Sequence, residues 1–294
     1  MNIFAGRMLV ANSVVSAAAF SVLKGYYNAT PHNMELVNVR VKINALPLAF
    51  KGFKIALLSD FHSSLVVSRG HIEAAAQMAM NEKPDAIALA GDFISGHTKI
   101  RSRSVGKIRK RYIDRCVEGL SQLKAPYGIY AVLGNHDFWS GSHAVEMITS
   151  ELSRRIGVVW LRNKNVKLEK DGELIDVLGV DDFWSRSCSL NKAYKSLNGN
   201  SVKILLSHNP DINQRIDKEK REVDLVLSGH THGGQMPLPF RNGEAIVPSI
   251  YGQKYREGRV EDGKRVTYVT RGVGHLLVPV RFNSPPEVTM ITLA

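Results

Sequence analysis

Short runs of apolar residues, each broken by a polar turn and followed by a helix-like stretch, recur along most of the chain. The first run alternates. In MELVNVRVKI, from Met34, apolar and polar positions trade places residue by residue, the pattern of a strand with one buried face. Phe53 to Leu58 then predicts a strand, and Arg69 to Asn81, with small apolar residues at Ala74, Ala75, Ala76 and Ala79, predicts a helix. Ala86 to Ala90 predicts the next strand, Arg111 to Leu123 a helix, Gly128 to Leu133 a strand and His143 to Arg155 a helix. Gly157 to Leu168 and Leu174 to Val180 predict two strands of a second sheet, with a turn at Asp171 and Gly172 between them. Val202 to Leu206, Val223 to Leu227, Val266 to Thr270 and Val288 to Leu293 complete the strands. Strand alternating with helix around a β-rich middle places the chain in the α/β class.

The N-terminus departs from this pattern. Met8 to Leu23 carries no charge and is bounded by Arg7 and Lys24. Roughly 16 residues would rise only about 24 Å as a helix, short of the ~30 Å hydrocarbon core of a bilayer. Asn12, Ser13, Ser16 and Ser21 dilute it further. The expectation is a signal-type or membrane-anchor segment over residues 1–29, a linker and first strand over 30–50, and one folded domain over 51–294. An Ala-rich helix packed on the domain is the alternative. An anchor would associate the chain with the inner (cytoplasmic) membrane, and an exported form is the other outcome.

With 294 residues, 44% of them hydrophobic and 7% aromatic, the chain has the composition of an ordinary globular protein. Cys116 and Cys188 show no CxxC or Cys/His spacing, which argues against a zinc knuckle or a disulfide framework. Lys and Arg number 39 against 27 acidic residues, a net charge of +12 that favours anionic partners: phosphorylated substrates, acidic membranes or nucleic acid. Much of that excess lies between Lys99 and Arg115. Only Tyr112 is interleaved there, which weakens nucleic acid as a partner, because single-strand platforms need stacking aromatics. Arg109, Lys110 and Arg111 are candidates to grip an anionic membrane surface or a distal phosphate, and a solvated face explains them equally well.

The candidate chemistry sits at the ends of the apolar runs: SDFH (59–62), GDF (91–93), GNHD (134–137), SHNPD (207–211) and SGHTHGGQ (228–235). Loops converge at the carboxyl edge of an α/β sheet, so motifs distant in sequence can meet there. Carboxylate oxygen, amide oxygen and neutral imidazole are the donors a divalent ion working on phosphate needs. Asp60 and His62, two apart on an extended strand end, can chelate one ion from the same side. Asp92 is the natural bridging carboxylate, since its two oxygens can face two metals. Asn135 offers an amide oxygen, and its neighbour His136 points elsewhere and is free for another role. His208, His230 and His232 complete the set. The remaining histidines, His32, His71, His97, His143 and His275, lack such company. Asp181 and Asp182 are expected to cap or turn the chain after a strand.

Asp-x-His, Gly-Asp, Gly-Asn-His-Asp, a lone His after a strand and Gly-His-Thr-His, in that order, resemble the calcineurin-like metallophosphoesterase superfamily. SGHTHGGQMPLP and the closing YVTRGVG…PVRFNSPPEVTMITL resemble its bacterial branch of membrane-associated or exported phosphohydrolases, over roughly residues 35–294. The resemblance implies a four-layer α/β/β/α sandwich of two mixed sheets flanked by helices. It implies one metal held by Asp60, His62, Asp92 and His232, and another by Asp92, Asn135, His208 and His230. His136 would be the catalytic histidine, Asp137 would orient its ring, and metal-bound hydroxide would attack phosphorus in line. Mn²⁺ is the leading ion, with Zn²⁺, Fe and Mg²⁺ as alternatives. The chain departs from the family pattern at Ser64 and Ser95, where the family often has Gly and an acidic residue. The implied substrate is phosphorylated and lipid-linked, with UDP-2,3-diacylglucosamine of lipid A biosynthesis as the specific candidate. A generic phosphodiesterase or phosphomonoesterase, a nuclease, and a non-catalytic metal-binding scaffold are the rivals. Oligomeric state is left open.

Overall fold

Strand pairing in the computed structural model, which describes residues 21–96, 103–197, 201–235 and 244–294, produces two six-stranded sheets. The first runs in the order β1 (Glu35–Val41), β12 (Glu287–Leu293), β2 (Lys54–Leu58), β3 (Ala86–Leu89), β4 (Ile129–Ala131) and β5 (Val158–Trp160). The second runs β10 (Gly258–Asp262), β11 (Arg265–Val269), β9 (Leu225–Ser228), β8 (Lys203–Leu206), β7 (Glu173–Gly179) and β6 (Lys164–Lys170). Both are mixed. Strands β2 to β5 are mutually parallel with β12 antiparallel beside β2, and β7, β8, β9 and β11 are parallel with β6 and β10 antiparallel at the two edges.

Apolar residues on consecutive positions explain why the sheets are covered on both faces. On β2, Ile55 and Leu57 belong to the core between the sheets, where they meet Ile204, Leu206, Leu225 and Leu227. Ala56 and Leu58, pointing the other way, pack under α1 (Arg69–Asn81), α2 (Arg103–Gly119) and α4 (Ser142–Ile156) through Ile72, Ala76, Ile113, Val117, Ile148 and Leu152. A third cluster covers the far face of the second sheet, where Leu178, Leu205 and Val226 meet α5 (Leu190–Ala193) and α6 (Ile212–Lys218). The expected α/β/β/α layering is therefore present. Helix α1 begins where Ser68 Oγ accepts from His71 N at 3.2 Å, and α4 stops at Gly157, whose φ of 72° ends it.

Two expectations change. The stretch 157–168 is not one strand of the second sheet. Val158–Trp160 pairs with β4 in the first sheet, and Lys164–Lys170 pairs with β7 in the second. Leu161 sinks into the inter-sheet core and Asn163 takes a φ of 53°, so the chain crosses from one sheet to the other between them. Helix α2 also starts at Arg103 rather than Arg111. The Asp171-Gly172 turn stands as expected, with φ of 51° and 80°, the two left-handed positions of a type I′ hairpin.

Residues 21–28 are helical, and their end is tied down where Arg281 N donates to Gly25 O at 2.8 Å. The anchor or signal expectation over 1–20 lies outside the described residues. Among the described residues no helix is long and apolar enough to cross a membrane. The side chain of Arg109 also lies outside the description, whereas Lys110 is exposed and paired with Asp114 at 2.8 Å, and Arg111 is exposed.

Ile175, fully buried between the sheets, offers a test of the layered core. Ile175→Ala is expected to lower the unfolding free energy by about 2–5 kcal/mol. The change should appear as a lower urea midpoint at unchanged m-value, and a midpoint equal to the parent's would contradict the inter-sheet packing.

Candidate metal centre

Five strand ends, three from one sheet and two from the other, bring the motifs together. Strand β2 delivers Asp60 and His62, β3 delivers Asp92, and β4 leads into α3 (Asn135–Trp139), whose first residue is Asn135. Strand β8 delivers His208, and β9 delivers His230 and His232. The local backbone is not the extended one expected. Asp60, His62, Asp92, His230 and His232 have φ of 57°, 44°, 55°, 75° and 53°, the left-handed region that costs about 1–3 kcal/mol for a residue with a Cβ. Hydrogen bonds between the loops hold these conformations: Asp60 N donates to Gly91 O and His62 N to Asp92 O, both at 2.9 Å, and Gly229 N donates to His208 O at 3.0 Å. Glycine is required where backbone presses on the carboxylates. A Cβ on Gly134 would collide with Asp92 Oδ1, and one on Gly229 with Asp60 Oδ2.

The donor atoms form two adjoining groups. In the first, His62 Nε2 lies 3.0 Å from His232 Nε2 and 3.4 Å from Asp92 Oδ2, and His232 Nε2 lies 3.6 Å from Asp60 Oδ1. In the second, His208 Nε2 lies 3.2 Å from Asp92 Oδ2, 3.0 Å from Asn135 Oδ1 and 3.2 Å from His230 Nδ1. Asp92 is shared, but not through its two oxygens as expected. Oδ1 accepts from His136 N at 2.9 Å, so Oδ2 alone faces both groups.

Electrostatics show what this arrangement attracts. His208 Nδ1 sits 2.8 Å from Ala90 O and must donate to it, while Nε2 faces two oxygen acceptors, Asn135 Oδ1 and Asp92 Oδ2. With the Asn135 oxygen facing the ring, a cation at Nε2, a proton or a metal, satisfies all three atoms. Without metal, burial opposes the charged ring but the Asp92 carboxylate outweighs it, and His208 is pushed up to about 10. Burial alone would raise Asp92, yet His208 and His136 hold it well below the usual carboxylate range. Burial drives His62 and His232 well below the usual histidine value and His230 down to about 3, so these rings offer neutral lone pairs. Burial also lifts Asp60 to about 6. The ligand atoms of Asp60, His62 and His232, those of Asp60, Asp92 and His208, and those of His62, Asp92 and His136 lie within 4.8 Å of one another, and each group could hold an ion. Neutral imidazole, carboxylate and amide oxygen suit a borderline or hard divalent cation, so the residues fit the group that the sequence implies.

His136 stands beside this cluster. Its ring meets His62 edge-on at 4.8 Å and Trp139 at 4.7 Å, and it lines a cavity that opens over the donors. Asp137 does not orient that ring. Its Oδ1 accepts from Phe93 N at 2.9 Å and Ile94 N at 3.3 Å, and its Oδ2 from Asp92 N and Gly134 N, both at 2.9 Å. Both oxygens are thus committed to backbone, and the carboxylate ties the β3 loop to the β4 loop. Ser95 approaches His62 from behind, with Oγ 3.5 Å from Nδ1. Asp182 caps the turn at 183–185 as expected, accepting from Trp184 N at 2.8 Å. Among the described residues, neither Lys110 nor Arg111 has a hydrogen bond or ion pair to the centre.

Sequence reasoning missed Arg281, which is fully buried behind His232. Its guanidinium donates to Ser284 O at 3.0 Å, Gly274 O at 3.1 Å and Arg271 O at 2.9 Å, and its Nη2 lies 3.2 Å from His232 Nδ1. The available signal was a single arginine inside the apolar run HLLVPVRF. The aromatic cavity wall formed by Trp139 and Trp184 was also missed, because one ends α3 after a strand of the first sheet and the other sits in the turn 183–185 after a strand of the second.

A two-sheet sandwich that gathers buried Asp, His and Asn at its strand ends defines a metal-dependent phosphoester hydrolase. The chain belongs to the calcineurin-like phosphoesterase family, whose model matches residues 53–234. It is 30% identical over 282 residues to the uncharacterized metallophosphoesterase YkuE of Bacillus subtilis (strain 168), covering 95% of this chain and 93% of that one. It is 31% identical over 284 residues to the phosphodiesterase YaeI of Escherichia coli (strain K12), covering 95% and 96%. A transmembrane protein with metallophosphoesterase domain from Danio rerio is 29% identical over 269 residues, covering 88% of this chain and 57% of that one.

The raised His208 gives a signed prediction. Against burial, the Asp92 carboxylate 3.2 Å from Nε2 raises the ring, up to about 10, and favours a proton there at neutral pH, so an incoming metal is expected to displace that proton and to compete less well as pH falls. Calorimetry of Mn²⁺ binding at pH 8 in buffers of different ionisation heat should show proton release. Apparent affinity should fall about tenfold per pH unit for each proton displaced. Heats independent of the buffer would contradict it.

Proposed function

We propose that the chain is a two-metal phosphodiesterase, with one ion held by Asp60, His62, Asp92 and His232 and the other by Asp92, Asn135, His208 and His230. The observation that carries this reading is Asp92 Oδ2, which lies 3.4 Å from His62 Nε2 and 3.2 Å from His208 Nε2, with Oδ1 pinned away from both by a backbone N–H. When bound, such ions supply Lewis-acid charge to phosphoryl oxygens and acidify water. Mn²⁺ is the ion of first choice for loading, with Zn²⁺, Fe and Mg²⁺ as the other candidates.

The chain's own groups do the remaining work. The His136 ring, fixed between His62 and Trp139 at the cavity floor, is placed to protonate the oxygen that leaves phosphorus. Asp137 keeps the loop bearing Asp92 and the loop bearing Asn135 in register through four backbone N–H groups. Arg281 braces His232 from behind. A diester or pyrophosphate substrate agrees with the name of the Escherichia coli relative. A lipid-linked one, with UDP-2,3-diacylglucosamine as the specific candidate, and association with an anionic membrane surface agree with the uncharged run Met8–Leu23 and the net charge of +12.

The test is Mn²⁺-loaded protein assayed against bis-p-nitrophenyl phosphate, p-nitrophenyl phosphate, UDP-2,3-diacylglucosamine and single-stranded DNA. Diester or pyrophosphate turnover is expected. His136→Ala should lower kcat roughly 10²–10⁴-fold while elemental analysis still finds both ions, whereas Asn135→Ala should lose one. Bound metal without turnover of any substrate would favour the non-catalytic scaffold, and parental kcat in His136→Ala would remove its proposed role.

A further inference from the structure

Above the donor cluster lies a cavity of about 600 Å³, within the size range of small-molecule sites. Its floor is polar, formed by Asp92, Asn135, His136, His230 and His232. Its walls are not. Trp139, Trp184, Ile246, Pro248, Leu277 and Val278 supply them, and Asp92 is the only Lys, Arg, Asp or Glu among the described lining residues. Among the described residues, a phosphate at the floor would therefore meet charge only below, and its substituent would meet hydrocarbon and aromatic surface. A nucleic acid, which needs cations along its backbone, is poorly served by such walls.

Two further observations point the same way. Ile246 and Leu277 are 76% and 72% exposed, and Trp139, Trp184 and Val278 are also open to solvent, so the opening carries an apolar rim. The wall is also held by hydrogen bonds of its own. Gln235 Nε2 donates to Leu276 O at 3.1 Å and Val280 O at 3.2 Å, and Gln235 Oε1 accepts from Leu276 N at 2.9 Å, which pins the segment carrying Leu277 and Val278. Preorganised apolar surface costs little further ordering when a ligand arrives. Trp184 begins directly beside the donors, its ring 4.5 Å from that of His230, and runs nearly parallel to Trp139.

We infer that this cavity takes the apolar arm of the substrate, so that the chain acts on an amphiphilic phosphoester: phosphate over the donor cluster, aliphatic chain against Trp139, Trp184, Leu277 and Val278. The inference rests on the phosphodiesterase reading above for the placement of phosphate. It names the substrate class without naming the headgroup.

The experiment compares binding of methylphosphonate and hexylphosphonate, below aggregating concentrations, to the Mn²⁺-loaded full chain by calorimetry. Burial of a methylene is worth roughly fourfold in affinity, so hexylphosphonate should bind on the order of 10²–10³ times tighter. Trp184→Ala and Leu277→Ser, both at solvent-open positions, should each reduce that ratio. Equal affinity for the two phosphonates would overturn the inference, as would thymidine 5′-monophosphate binding tighter than hexylphosphonate, which would make the tryptophans a base platform. Turnover of methyl and hexyl p-nitrophenyl phosphate, read in parallel, separates the two ideas. Chain-length-dependent binding without turnover would remove the hydrolase reading and leave the cavity's role standing. Turnover with no dependence on chain length would do the reverse.

Discussion

Asp92 is fixed through its backbone N–H, its carbonyl and one carboxylate oxygen, and the centre takes its shape from that fixation. Its N–H is held by Asp137, its carbonyl by His62 N–H, and its Oδ1 by His136 N–H, which leaves Oδ2 as the single atom turned toward both donor groups. Burial of that oxygen between His62 and His208 is unfavourable unless positive charge sits beside it. The surrounding histidines answer only in part, since burial lowers His62, His230 and His232 and favours their neutral rings, while His208 is raised by Asp92. The proposed pair of divalent ions would satisfy the remaining lone pairs together. Metal binding and the stability of these loops are therefore linked.

The strained backbone follows from the same constraint. Five of the proposed ligands have left-handed φ, a conformation that persists only when its surroundings over-determine it. Here the surroundings are the two sheets. Strands β2 and β3 present their ends from one layer and β8 and β9 from the other, with a continuous apolar core between them. Asp137 adds a second restraint at the loops, and Arg281 a third behind His232. Loops gathered this way resist reorganisation when ligand arrives, which favours electrostatic stabilisation of a developing charge.

What the sequence revealed, and what it hid, divides by the range of the interaction. Apolar runs followed by Asp, His or Asn were readable because strand ends are local. Asp137 was misread, since its partners are the backbone of a loop some forty-five positions earlier (|i−j| = 45 to Asp92) and nothing in GNHD encodes them. Arg281 was invisible as a support for His232 because the contact spans 49 positions. The crossing at Leu161 and Asn163 looked like a continuous strand because periodicity alone does not say which sheet a β-rich run joins. Pairing of Trp139 with Trp184 likewise required the two sheets to be placed first.

Spin coupling between two bound ions addresses the shared carboxylate more directly than any activity. Ions bridged through one oxygen sit about 3.5–4 Å apart, and electron paramagnetic resonance of the Mn²⁺-loaded chain reports that proximity without reference to substrate. Two Mn²⁺ per chain with an exchange-coupled spectrum, collapsing to an uncoupled signal in Asp92→Ala, is the result this account predicts. A single Mn²⁺ per chain, or two that remain magnetically independent in the parent protein, would contradict it.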